Sequence, residues 1–263
     1  MPGLDDDLAL ALHLADVAAS VTLPAFGGRL DVDLKADRTV VTALDAAAER
    51  AVREAVREHR PDDGVLGEEQ GLDPGGSGRT WVLDPIDGTR MYAEGIPLWT
   101  TLVALRDPTG LVVGVADAPA SGLRQHARRG GGAWEGGRRL AVSTVDRLAD
   151  AFVLHASVEE FAALGETAVL ERLVTSARGS RGMADAWAHL MVARGSADVL
   201  LEAAPCYEWD WAATSVILEE AGGRVSALDA DAPYPGCRLL VTNARLDPEL
   251  RATLTPPPTV SLG

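Results

Sequence analysis

Apolar residues recur along this chain with two different periods, and the changes of period mark out its elements. Leu8 to Ala19 is rich in Ala and Leu and follows Asp5-Asp6-Asp7. That is a helix start in which carboxylates meet the positive end of the helix dipole. Asp45 to His59 (DAAAERAVREAVREH) carries the clearest helical pattern, with Asp45 placed to cap it and Val52 and Val56 on one apolar stripe. Short β-like runs follow at Gly64–Gly67, Thr80–Leu83, Trp99–Leu105, Leu111–Ala116 and Leu123–Ala127, with Gly, Pro and Asp turns between them. Pro108-Thr109-Gly110 separates two of these runs and reads as a hairpin connection.

Further on the character changes. Strand-like Ala151–His155 is followed by helical patterns over Val158–Leu173 and Asp185–Ala193, then by a strand over Asp198–Leu201. A helix over Trp209–Ala221 is closed by Gly222-Gly223, and Leu239–Thr242 reads as another strand. The pattern predicts an α+β protein with an antiparallel sheet and two helices in the first half and a mixed α/β layer in the second. A division near Val142–Asp150 would separate residues 1–145 from 146–263.

Composition narrows the class. The chain has 263 residues, 47% of them hydrophobic, enough for a substantial core. Its formal net charge of −15, with no offsetting Lys/Arg run, disfavours nucleic acid and anionic membrane surfaces. Cys206 and Cys237 lack metal-ligand spacing and do not suggest a disulfide framework. The acidic N-terminus is unlike a secretory signal, and no apolar stretch approaches the roughly 20 residues that span a bilayer. A cytoplasmic protein is expected.

Three stretches place carboxylates where an apolar run ends. They are Gly64-Val65-Leu66-Gly67-Glu68-Glu69, Trp81-Val82-Leu83-Asp84-Pro85-Ile86-Asp87-Gly88-Thr89, and Glu208-Trp209-Asp210-Trp211. Singly, each has a plain structural role: a solvated strand end, a type I turn, a helix cap. Together they resemble the hard-oxygen donor set that magnesium requires. Asp84 and Asp87 offer two carboxylates and an exposed carbonyl within one turn whose φ is fixed by Pro85. Gly88 permits close approach of a ligand, and the N–H groups of Gly88 and Thr89 can face an anion.

These residues, with Lys35-Ala36-Asp37 and Val41-Thr42-Ala43-Leu44-Asp45 before them, resemble the inositol monophosphatase family over nearly the whole chain. That family lies within the magnesium-dependent, lithium-sensitive phosphatases. The resemblance implies a layered αβαβα sandwich, a homodimer, and two to three magnesium ions, with manganese able to substitute. Glu68, Asp84 and the Ile86 carbonyl would hold one ion; Asp84, Asp87 and Asp210 a second. Thr89, paired with Asp45, and Glu68 would serve catalysis, and Asp87, Gly88 and Thr89 would meet the phosphate. Lys35, Asp37 and Glu69 would belong to a flap. The ester bond would be cleaved by activated water, so no Ser or Cys nucleophile is required.

The substrate is expected to be a small phosphate monoester. Arg181-Gly182-Met183-Ala184-Asp185, with Glu202, resembles the histidinol-phosphate phosphatase branch, and Arg181, Asp185 and Glu202 would then contact substrate. Ala184, Met91 and Gln125-His126 depart from the usual pattern. Histidinol phosphate or inositol monophosphate is the leading expectation. A sugar, aminocyclitol or nucleoside phosphate and fructose 1,6-bisphosphate remain as alternatives, the last requiring Arg90, Arg178 and Arg181 to converge. A non-catalytic binder would be expected to have lost Asp84, Asp87, Asp210 or Thr89, and it is disfavoured. The histidines at 13, 59, 155 and 189 read as packing or surface residues.

Overall fold

The computed structural model describes residues 3–27, 32–34 and 40–254, so Lys35 and Asp37 lie outside the described residues. The chain runs α1 (Leu4–Thr22), β1 (Val32–Leu34), β2 (Val40–Thr42), α2 (Ala43–His59), β3 (Gly64–Gly67), β4 (Gly71–Asp73), β5 (Thr80–Asp87) and α3 (Thr89–Ala93). Four strands follow, β6 (Thr100–Asp107), β7 (Gly110–Ala118), β8 (Leu123–Arg128) and β9 (Gly132–Glu135), then the two-residue β10 (Arg138–Arg139). The rest comprises β11 (Phe152–His155), α4 (Val158–Ala163), α5 (Thr167–Ser176), β12 (Gly179–Gly182), α6 (Asp185–Ala193), β13 (Val199–Leu201), α7 (Glu208–Ala221), β14 (Arg224–Ala227), β15 (Leu239–Thr242) and α8 (Asp247–Leu254).

Period-2 alternation along the strands decides the layering. Trp81, Leu83, Val103, Leu105, Val113 and Val115 face α1 and α2. Val82, Leu102, Ala104 and Ala116, on the opposite face, join α6 and α7 in a second core. Leu154, Leu200, Leu239 and Val241 of the other sheet close that second core from beyond the helices. Their neighbours Val153, Val199, Leu201 and Leu240 turn outward against α4, α5 and α8. The result is an α+β fold in five layers, αβαβα. Burying each such Leu or Val stabilises the fold by about 2 kcal/mol. Gly114 of β7 permits the close packing of α7, since a Cβ there would lie 2.2 Å from the Ala213 carbonyl oxygen.

The first sheet has the order β10-β9-β8-β7-β6-β5-β3-β4 and the second β12-β11-β13-β15-β14. In the second sheet β11 runs parallel to β12 and β13, while β15 is antiparallel to β13 and β14, the expected mixed layer. The first sheet departs from expectation at one place. β3 pairs with β5 in parallel, because the hairpin through β4 returns the chain to the far edge before β5 begins.

Other differences have local causes. The helical pattern over Val158–Leu173 forms two helices, broken at Gly165, whose φ of +71° a β-carbon would disfavour. β12 (Gly-Ser-Arg-Gly) carries no apolar residue and is a strand only through its pairing with β11. Within the 22-residue stretch Leu4–Ala25, which includes α1, the most apolar 18 residues reach a mean hydropathy of 1.6, apolar enough by composition to cross a membrane, contrary to the expectation above. Here Leu10, Leu14 and Ala18 bury its apolar face against α2 and the first sheet.

Candidate active site

The site grows from an irregularity in β5. Asp84 pairs with Leu102 of β6 and Asp87 with Thr100, so Pro85 and Ile86 on β5 oppose the single residue Thr101 on its partner. In an unbroken strand, side chains three apart point to opposite faces. The bulge reverses that parity and turns both carboxylates to the same side. Pro85 donates no ladder hydrogen bond, and its carbonyl accepts from the Thr101 hydroxyl at 2.7 Å. The Ile86 N–H returns to Asp84 Oδ1 at 3.1 Å. Asp87 Oδ2 accepts from the Thr100 hydroxyl at 2.9 Å and from the Ala186 N–H at 2.8 Å, which ties β5 to the start of α6. Beneath the turn, Ile86, Tyr92 and Trp99 form a small buried cluster.

Two sets of carboxylates converge here, Asp45–Glu68–Asp84 and Asp84–Asp87–Asp210, with one oxygen of each residue within 4.8 Å of the others in its set. Asp84 belongs to both. Asp45 comes from the first turn of α2 and Asp210 from the first turn of α7, where its Oδ2 accepts the Tyr207 N–H at 2.6 Å. Glu68 follows β3, and a residue that the sequence reading passed over fixes its turn. Fully buried Glu49 of α2 accepts the Glu69 N–H at 2.8 Å and the Gln70 N–H at 3.1 Å, while Arg53 neutralises it at 2.8 Å. Glu69 itself is in neither carboxylate set.

Like charges so close and so buried are held away from ionisation. Burial first, and then Glu68, Asp87, Asp45 and Asp210, push Asp84 well above the usual carboxylate range. Asp87 is raised by burial and by Asp185 and Asp210, against the opposing hydrogen bonds from Ala186 and Thr100. Asp210 is raised by burial to about 7. An all-oxygen donor set whose members repel one another is what a hard divalent cation would neutralise, so either set could hold a metal ion.

Gly88 ends β5 with φ +79° and ψ +40° and caps α3. A Cβ there would also lie 3.3 Å from Asp185 Oδ2, so the position requires glycine twice over. The Thr89 hydroxyl donates to the Ile86 carbonyl at 3.0 Å.

A cavity of about 340 Å³ opens beside the carboxylates, a size suited to a small metabolite. Glu68, Asp84, Ile86, Asp87, Gly88, Thr89 and Asp210 line one side of it. Asp185 and Glu202 line it too, joined by the Asp185 N–H donating to Glu202 Oε1 at 2.9 Å. Burial, then Glu160, raises Asp185 to about 6 against the pull of Arg90. Burial, then Asp185 and Asp87, holds Glu202 well above its ordinary range.

Arg181 does not join them. It stands on edge strand β12 with its guanidinium exposed and donating to the Ser180 carbonyl at 2.7 Å, while Gly182, next in the alternation, lines the cavity. Arg178 also lies elsewhere, over the Phe152 ring at 5.8 Å.

Of the three arginines named from the sequence only Arg90 lines the cavity, and several other lining residues carry no signal in the sequence: His155, Ser157, Glu160, His189 and Cys206. Two of these were read as packing histidines. His155 is bound through Nδ1 to the Ala156 carbonyl at 2.8 Å. His189 Nδ1 meets the Thr214 hydroxyl at 2.8 Å and its Nε2 lies 3.9 Å from Glu202, with burial pushing the imidazole down to about 3. None of these residues stands in a local motif, and only the turn at the end of β11 and the α6–α7 packing bring them here.

The inositol monophosphatase family model matches residues 4–256. Among curated proteins, the histidinol-phosphatase of Mycobacterium tuberculosis is 39% identical over 95% of this chain and 98% of its own length. That of Streptomyces coelicolor is 39% identical over 95% and 97%. The inositol-1-monophosphatase of Rhizobium meliloti is 34% identical over 74% of each chain. Among solved structures, the extragenic suppressor protein suhB of Bartonella henselae superposes with a TM-score of 0.88 at 26% identity, covering 95% of this chain and 98% of its own. An inositol monophosphatase from Zymomonas mobilis gives 0.84 at 28% identity, covering 97% and 99%. The chain belongs to the inositol monophosphatase family and is a phosphoric monoester hydrolase.

Proposed function

We propose that this chain is a magnesium-dependent phosphatase acting on the phosphate monoester of an amine-bearing alcohol, with histidinol phosphate as the best-matched substrate. The observation that carries this reading is that the two carboxylate sets sharing Asp84 open, through Glu68, Asp84, Asp87 and Asp210, on the same cavity as Asp185 and Glu202. Glu68, Asp84 and the Ile86 carbonyl would hold one magnesium ion, and Asp84, Asp87 and Asp210 the other. Bound magnesium supplies charge neutralisation for the phosphate and lowers the pKa of an attacking water.

The chain's own groups do the rest. The backbone N–H groups of Gly88 and Thr89 face the phosphate oxygens, with Asp87 beside them. The Thr89 hydroxyl, which donates to the Ile86 carbonyl, would turn toward Asp45 in the reacting enzyme. Thr89 Oγ1 would then orient the attacking water and the Asp45 carboxylate accept its proton as the P–O bond to the alcohol breaks, the departing alkoxide taking a proton from solvent water. Phosphoryl transfer asks for little beyond such positioning.

Asp185 and Glu202 favour a cationic leaving alcohol. Arg90 is the single arginine lining the cavity among the described residues. A bisphosphate needs a second cluster of cations, so the fructose 1,6-bisphosphate reading is not favoured. Inositol monophosphate competes, because carboxylates accept from hydroxyls as well as from ammonium, and a direct comparison of activities decides between them.

The deciding experiment is phosphate release with magnesium over histidinol phosphate, inositol 1-phosphate, fructose 1,6-bisphosphate, 3′-nucleotides and glycerol 2-phosphate. The expected result is a kcat/KM for histidinol phosphate at least about 10-fold above the others, a margin of about 1.4 kcal/mol. Equal rates throughout would remove the amine from the proposal, and no release with any would overturn it.

A further inference from the structure

The first turn of α4 forms a wall of the cavity that the roles given above leave unused. Ser157, at the N-cap of α4, and Glu160, three residues on, both line the cavity, as does His155 at the end of β11. His155 is nine-tenths buried. Its Nδ1 must donate to the Ala156 carbonyl, an acceptor only, so the neutral ring is left with Nε2 as an open acceptor. The Ser157 hydroxyl makes no capping hydrogen bond to α4.

The position of Glu160 asks for an explanation beyond helix capping. Glu159 and Glu160 both sit in the first turn of α4, where either acid complements the dipole. Glu159 is exposed and does not line the cavity, whereas Glu160 is half-buried and does. There it adds a negative charge beside Asp185 and Glu202, and its field raises both of them. An acid in that place works against its neighbours until a cation or a strong donor arrives.

We propose that Glu160, with His155 Nε2, is a specificity-determining acceptor pair on the α4 wall of the cavity that reads an N–H donor of the leaving alcohol. The inference deepens the reading above: Asp185 and Glu202 take one cationic group, and the α4 wall takes a second donor. The ligand class is an alcohol with two separated nitrogen donors, as opposed to a neutral polyol.

The test separates binding from turnover. Calorimetric titration of free histidinol into wild type and Glu160→Gln, at pH 7.5, needs no catalysis. Loss of one charge-assisted contact should raise its Kd about 10-fold. Glu159→Gln, the matched change on the same helix turn, should leave Kd within about 2-fold, and Glu160→Asp should recover part of the loss. In turnover, Glu160→Gln should raise KM for histidinol phosphate about 10-fold, at least about 5-fold more than for 4-nitrophenyl phosphate, while kcat for histidinol phosphate changes far less.

A Kd unchanged by Glu160→Gln, or one changed equally by Glu159→Gln, overturns the role of Glu160. If wild type releases no phosphate yet Glu160→Gln still weakens histidinol binding, the phosphatase reading fails and the recognition role stands. Active enzyme with unchanged histidinol binding in Glu160→Gln sinks the recognition role alone.

Discussion

Among the cavity residues, Asp84 and Asp87 stand on a single strand, turned together by a bulge and anchored by Thr100, Thr101 and the Ala186 N–H. Beside them, Asp185 begins α6, Glu202 follows β13, and Glu160 belongs to α4. The first group is a local construction in which neighbours in sequence are neighbours in space. The second is assembled from three elements of the second sheet and its helices. The contrast also appears in their hydrogen bonds. Asp87 accepts two well-formed bonds, whereas Asp185 holds a left-handed backbone, φ +59°, so that its N–H can reach Glu202. Strain of that kind, on the order of 1 kcal/mol or more, persists only where surrounding structure enforces it. The locally built carboxylates can therefore stay fixed while residues drawn from other elements change to suit another leaving group.

The most severe way to break this comparison is Asp87→Asn. The amide keeps an acceptor for Thr100 and Ala186 but removes the charge, so magnesium-dependent phosphate release should fall by about 1,000-fold or more with the circular dichroism spectrum unchanged. Full activity would remove Asp87 from the proposed metal site.

Glu49→Gln comes next. It loses the Arg53 ion pair and weakens the clamp on the turn carrying Glu68, so the apparent magnesium affinity should fall about 10- to 100-fold. Stability should drop by about 3 kcal/mol, because buried Arg53 is left uncompensated. A normal magnesium titration would show that Glu68 does not depend on this support.

Asp185→Ala acts on the second group. It should raise KM for an amine-bearing phosphate about 10-fold while changing KM for an aryl phosphate less than about 3-fold. Equal effects on both would place Asp185 outside recognition.

The smallest effect is a pH dependence of stability through His189. Its imidazole is held neutral, lowered to about 3 by burial. The unfolded chain therefore takes up a proton below about 6.5 that the folded protein refuses, and stability is lost as pH falls. Between pH 6 and pH 5 the contribution is about 1.2 kcal/mol, or a melting temperature lower by about 2–4 °C. The raised carboxylates pull in the opposite direction, so the check is the difference in slope between magnesium-saturated wild type and His189→Gln. Identical slopes would exclude His189 as the source.

Much of this architecture was legible from the chain. Short apolar runs marked β3, β5, β6, β7 and β8, since the central strands are buried on both faces, and helical patterns marked α2, α6 and α7. The carboxylates at Glu68, Asp84, Asp87 and Asp210 stood out for a related reason: each interrupts or closes an apolar run, where a charge is costly unless something uses it. β12 and β14 were not marked, since edge and short strands owe their state to pairing more than to composition.

What the sequence determined by itself is the family, the layered α+β class and the carboxylates gathered around Asp84, all properties written in local pattern and spacing. Tertiary structure alone decided that β5 bulges so that Asp84 and Asp87 face the same side. It also decided that Glu49 clamps the Glu68 turn, that Arg181 stays outside while Gly182 lines the cavity, and that His155, Glu160 and His189 come to the proposed substrate. These depend on strand register and on contacts between residues far apart in the chain. A register slip of one residue reverses a side chain's direction without altering the pattern that predicts the strand.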